Sequence, residues 1–197
     1  MIMRLAMLVL GLALCAAGCG SSGPTRAERA AAEQAAREAE DARLRAENRA
    51  RLDAERLRAL WKYQQSTMAG GAQTTASILS TGGVDTDGSG EKPVQLIFRD
   101  HADWGRSSYL VLQAGDFACP PGCTVTVQAD DDPAVTIKAR RPNTDEAVAL
   151  FINDHAALWA LAGRARELHI TFPVKAGGTR QARFEVDALD PSRMPGW

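Results

Sequence analysis

Glu167-Leu-His-Ile-Thr-Phe-Pro-Val174 alternates polar and apolar side chains almost from end to end. Successive residues of a strand point to opposite faces, so a period of two marks a strand with one face buried and one in solvent. His169 then belongs to the outward face. The same reading, carried outward, marks Val94–Arg99, Ser108–Gln113, Thr124–Gln128, Val135–Ala139, Val148–Ile152 and Arg180–Asp187 as further strands. Breakers part them at Trp104-Gly105, Cys119-Pro-Pro-Gly-Cys123, Asp130-Asp-Asp-Pro133, Arg141-Pro-Asn143 and Ala176-Gly-Gly178. One helix interrupts the series, with Asn153 or Asp154 as its N-cap and Ala157, Leu158, Leu161 and Ala165 along one face. Residues 93–190 thus read as a small β-rich, sandwich-like domain with one helix, and residues 191–197 as a tail.

Upstream the period changes. Residues 26–63 hold no Gly or Pro and are dominated by Ala, Glu, Arg and Leu, all strong helix formers. Such a helix would be about 55 Å long at about 1.5 Å per residue. Acid-first pairs four apart (Glu33/Arg37, Asp41/Arg45, Glu47/Arg51) favour it. Its apolar stripe is mostly Ala and repeats about every 3.75 residues, above the 3.5 of a left-handed coiled coil. We therefore read a solvated spacer helix, so the class is α+β. Coiled-coil self-association or docking on another protein is the alternative, through the apolar end formed by Leu57, Leu60 and Trp61.

Residues 64–92 are rich in Gly, Ser and Thr and read as a flexible linker. Asp85, Asp87 and Ser89, followed by Gly90, have the spacing that opens a calcium loop. The glutamate such a loop requires at its twelfth position is Leu96 here, which favours a plain polar turn. No metal is otherwise expected, and nothing asks for a cofactor.

At the N-terminus, Arg4 precedes an apolar run from Leu5 to Ala17. A membrane-spanning helix needs about 20 apolar residues, so this run is too short to span and suits a signal peptide. Ala16-Ala17-Gly18-Cys19 resembles the lipobox of bacterial lipoproteins. The resemblance implies a signal peptide over residues 1–18, acyl chains (palmitate among them) on Cys19, and a tether over residues 19–25. Gly20 stands where inner-membrane retention would place Asp, so the expected site is the periplasm-facing outer membrane, with the inner membrane as alternative. An ordinary secretory peptide is the other reading. In that oxidising compartment the two remaining thiols, Cys119 and Cys123, are expected to pair and pin a hairpin turn.

The formal net charge of -1 and a balance of 23 basic against 24 acidic residues argue against nucleic-acid binding, which calls for a clustered cationic excess. His101, His155 and His169 lack zinc-ligand spacing and read as surface residues. Asp130-Asp131-Asp132 reads as a turn, and Arg140-Arg141 as solvated surface. No nucleophile elbow, Ser-x-x-Lys motif or phosphate-cradling Gly loop occurs.

Asp132-Pro133, Phe151, Leu158 and Leu161, Leu168-His169-Ile170, Phe184-Glu185-Val186 and Leu189 together resemble a module of proteobacterial envelope lipoproteins and, more distantly, of type VI secretion-associated periplasmic proteins. That resemblance implies a strand–helix–strand–strand order and carries no catalytic residue. The expected role is a lipid-anchored envelope protein that binds or scaffolds another envelope component without catalysis. A cell-wall-acting enzyme or its inhibitor, and a structural lipoprotein oligomerising through its helix, are the alternatives.

Overall fold

The computed structural model describes residues 23–68, 70–142 and 148–197. The expected signal peptide, Cys19 and the start of the tether lie outside the described residues. The chain divides into two units, Met1–Glu47 and Asn48–Trp197. No helix among the described residues is long and apolar enough to cross a membrane.

Helix α1 spans Arg26–Leu60 and buries no residue fully. It opens on a capping box: Thr25 Oγ1 accepts from Glu28 N (3.2 Å), and Glu28 Oε2 accepts from Thr25 N (2.6 Å). Hydrogen bonding by Thr25 to the ionised carboxylate, through its backbone first, holds the Glu28 pKa below its usual value. Among the described residues the ion pairs along the helix join Arg43 to Glu40 and Glu47, Arg51 to Glu55 and Arg56 to Asp53, not the acid-first pairs named from sequence.

The expected α+β, β-rich arrangement forms. Among the described residues nine strands follow α1: β1 (Lys62–Met68), β2 (Gly71–Leu79), β3 (Gln95–His101), β4 (Gly105–Val111), β5 (Cys123–Ala129), β6 (Val135–Arg140), β7 (Ala149–Ile152), β8 (Glu167–Pro173) and β9 (Thr179–Glu185). Helix α2 (His155–Ala162) sits between β7 and β8, so the strand–helix–strand–strand order stands. All nine join one sheet in the order β1-β2-β3-β4-β7-β6-β5-β8-β9, antiparallel throughout. The sheet curls until its ends approach: Thr81 N, just past β2, donates to Arg183 O of β9 at 2.7 Å. Inward positions such as Leu96, Phe98, Leu110, Leu150, Ile170 and Phe184 converge on a single core, closed by Leu158 of α2. Asp154 caps α2, accepting from Ala157 N at 3.0 Å.

Three sequence readings need correction. The linker assigned to residues 64–92 contains β1 and β2, joined by a turn in which Gly70 and Gly71 take φ of 96° and 128°. Those angles are readily available only to glycine. Ala76 and Ile78 are the buried residues of β2, and its outward face is Gln73, Thr75 and Ser77, which is why the segment looks polar. The helix accordingly ends at Leu60 and not at residue 63. Residues 191–197 are not a loose tail either. Pro191–Arg193 form a short 3-10 helix, Met194 is fully buried, and the Trp197 ring packs edge-on against Phe98 (5.4 Å) and beside Trp159 (4.9 Å).

Cys119 and Cys123 form the expected disulfide, with their Cα atoms 5.0 Å apart. A loop this short removes little chain entropy, so replacing both with Ser should cost about 2 kcal/mol. At about 2–4 °C per kcal/mol for a unit of this size, a melt should drop by roughly 4–8 °C; an unchanged melt would show the bond adds nothing. Nearby, Asp116 receives Arg141 and Lys175 (Nζ at 2.6 Å). Burial alone would raise its pKa, but hydrogen bonds from Lys175, Arg141 and Phe117 N outweigh it and hold the carboxyl below its usual value. A depressed native pKa contributes stability that is present above the unfolded value of about 3.9 and lost as pH falls through the native one. Asp116→Asn should therefore be less stable than wild type at pH 7. The gap should close on acidification below about pH 4, which urea titrations at pH 7 and pH 3 would read.

Candidate interaction surface

The apolar helix end named above as a docking point, Leu57, Leu60 and Trp61, belongs to the domain. Trp61 is 3% exposed, its indole N–H donates to Val186 O at 3.3 Å, and its ring lies 6.2 Å from Phe98. Leu60 packs on the same core, and Leu57 lines a cleft described next. The chain ahead of β1 thus supplies a buried wedge and not a free adhesive face. Arg56 reinforces it, reaching Glu185 of β9 at 2.7 Å.

That cleft, of about 330 Å³, is lined by Asp53, Arg56, Leu57, Asp130, Arg166, Glu167, Glu185 and Asp187. It is rich in carboxylates, yet they are engaged within the fold. Asp130, at φ 47°, accepts from Arg166 N and Glu167 N at 2.9–3.2 Å and so ties the β5–β6 turn to β8. Glu167 pairs with His169 and with Arg183 (3.3 Å), while Glu185 and Asp53 share Arg56. Asp187 accepts from Ala188 N at 2.9 Å. The arrangement works as a clasp between helix end and sheet. The Asp130–Asp132 stretch is the turn expected, closed by Asp132 N donating to Ala129 O.

The calcium candidates fold onto themselves. Asp85 Oδ1 accepts from Asp87 N and Gly88 N, and Asp87 Oδ1 accepts from Ser89 N at 2.9 Å. Hydrogen bonds from Ser89 lower the Asp87 pKa. Thr86 at the centre of the turn is buried and donates to Ala114 O at 2.6 Å, so the loop is a structural Asx turn. No group of three or more metal-capable side chains occurs among the described residues.

A different constellation emerges on the outward face of the sheet. Cross-strand register aligns Ile97 (β3), Tyr109 (β4), Phe151 (β7) and Arg140 (β6) in one row. Tyr109 and Phe151 pack at 4.9 Å. The Arg99 guanidinium, on β3, lies 5.4 Å from the Trp104 ring, 5.5 Å from Tyr109 and 5.9 Å from Phe151. Arg140 lies 5.4 Å from Phe151 on the other side. Burial raises the Tyr109 phenol pKa, with the Arg99 charge opposing it in part. Cations over aromatic faces gain roughly 0.5–1 kcal/mol each where partly exposed.

Trp104 is 59% exposed and stacks flat on His101, ring to ring at 3.9 Å. His101, expected at the surface, is 2% exposed. It does point outward from β3, but Trp104 and the β1–β2 turn at Gly70 cover it. Its Nδ1 accepts from Asp103 N (3.1 Å) and Trp104 N (3.3 Å), which fixes the β3–β4 turn and with it the indole. The other two histidines sit as surface or half-buried residues, His169 on Glu167 and Gln181, His155 edge-on to Trp197. Arg99 donates to Ser107 Oγ at 3.0 Å, and among the described residues neither Arg99 nor Arg140 meets a carboxylate. Lys138 of β6 joins half-buried Arg99 and exposed Arg140 as a third cation, and no outward position of β3, β4, β7 or β6 holds Asp or Glu.

The sequence readings missed this surface because its two halves, β3-β4 and β6-β7, meet through β4 and β7, which the chain order does not make neighbours. Outward-facing Tyr109 and Phe151 in alternating strands were the available signal. Aromatic residues and Arg on an exposed face are the composition of interface hot spots. No family model matches the chain, and neither a curated protein nor a solved structure matches it.

Proposed function

We propose that this chain is a lipid-anchored, non-enzymatic protein of the bacterial periplasm, held to the outer membrane through Cys19. It binds or scaffolds another envelope component through its outward Arg–aromatic face. The lipobox-like Ala16-Ala17-Gly18-Cys19 supports the address. The observation that carries the binding role is the rigid, exposed Trp104 beside Arg99, Tyr109 and Phe151. The disulfide is consistent with an oxidising compartment.

Cells expressing the tagged full-length chain should incorporate labelled palmitate and keep the protein in the membrane fraction. Cys19→Ala should abolish both, since acyl chains contribute about 0.8 kcal/mol per buried methylene; retained label would defeat the anchoring half. For the binding half, a partner that co-purifies with the wild-type chain should be lost from a Trp104→Ala, Arg99→Gln variant of unchanged melting temperature. Undiminished recovery with that variant would place the docking surface elsewhere.

A further inference from the structure

Resting on the docking reading above, we propose that the β3-β4-β7-β6 face takes an acidic protein segment, whose carboxylates pair with Arg99 and Arg140 while its apolar side chains lie on Tyr109, Phe151 and Trp104. The argument is charge complementarity. Arg99 and Arg140 occupy the outward side of adjacent-strand rows, and no carboxylate among the described residues meets either. Lys138 extends the same sign along β6.

Each guanidinium is already positioned. Arg99 is held by three rings and by Ser107 Oγ, Arg140 by Phe151. A guanidinium ordered beside aromatic rings keeps N–H groups for carboxylate recognition, and prior ordering lowers the entropy lost on binding. The remainder of the row, Ile97, Tyr109 and Phe151, is apolar or aromatic and suits side chains interspersed with acids. The face lies in the middle of the sheet, where β3, β4, β7 and β6 already pair on both sides. The segment therefore lies across it by side-chain contact and does not add as a strand. Trp, Tyr and Arg together are the residue types that dominate protein–protein hot spots, which favours a protein ligand over an anionic glycan or lipid.

The test uses the full-length chain and a fluorescein-labelled peptide of alternating Glu and Tyr, followed by anisotropy. The acidic peptide should bind, more weakly at high salt. Its Gln-for-Glu counterpart should bind at least tenfold more weakly, and Arg99→Gln with Arg140→Gln should lose at least tenfold at a temperature where circular dichroism shows the variant still folded. Equal binding of the two peptides, or undiminished binding by the double variant, would overturn the proposal. So would preference for an oligogalacturonate or for phosphatidylglycerol vesicles tested in parallel. If peptide binding fails but a photoreactive residue at Trp104 still captures a protein in cells, the acidic partner falls and the docking face stands. If both fail, so does the docking reading.

Discussion

Trp61→Ala is expected to lower the stability of the folded unit by about 3–5 kcal/mol, the range for truncating a buried Trp or Phe. The side chain is almost wholly buried, against Phe98 and Tyr63, and its indole N–H reaches Val186 O on the far end of the sheet. Removing it opens a cavity where the end of α1 meets both sheet edges and leaves the Val186 carbonyl with Leu189 N as its remaining donor. With about 2–4 °C lost per kcal/mol, the thermal midpoint should fall by roughly 10 °C. Leu52→Ala, one helical face away and 56% exposed, should change it by less than about 0.5 kcal/mol. A Trp61→Ala protein that melts like wild type would mean the wedge is not part of the core.

The second large effect concerns where the folded unit begins. A chain cut to residues 93–197 is expected not to fold cooperatively. The cut deletes β1 and β2, strips β3 of its ladder partner, and removes Trp61, Ala76 and Ile78 from the core. Each fully buried large side chain contributes roughly 1.5–3 kcal/mol, and whole domains are stable by only about 5–15 kcal/mol. The loss of two apolar anchors plus a ladder consumes much of that margin, and the newly bare edge of β3 invites association. Residues 48–197 should by contrast unfold in one transition. Circular dichroism melts and the dispersion of amide NMR signals separate the outcomes. A sharp transition from the 93–197 fragment would restore the linker reading of residues 64–92.

These two results bear on what the residues disclose before folding. Strands β5 and β8 keep an apolar alternation, as in Leu168, Ile170 and Phe172 of β8, because one face is buried against many neighbours. The strands β1 and β2 lie at the sheet's margin. Their inward positions are few and include small Ala76, and their outward Gln, Thr and Ser look like linker composition. The Gly70-Gly71 pair flanked by Thr-rich alternation was the hairpin signal that the reading passed over. The disulfide was legible because only two thiols remained after Cys15 and Cys19. The interaction surface was not, because it depends on β4 pairing with β7 across the intervening β5–β6 hairpin, and no local pattern specifies that register.

On the function proposed above, the outward Arg–aromatic face, and not the helix end, is where this protein meets its partner. A photoreactive amino acid placed at Trp104 in living cells, with a second chain carrying it at exposed Asp131 in the β5–β6 turn, tests this most directly. One dominant heterologous adduct is expected from position 104, identified by mass spectrometry, and none of it from position 131. Equal adducts from both positions, or self-adducts alone, would contradict it.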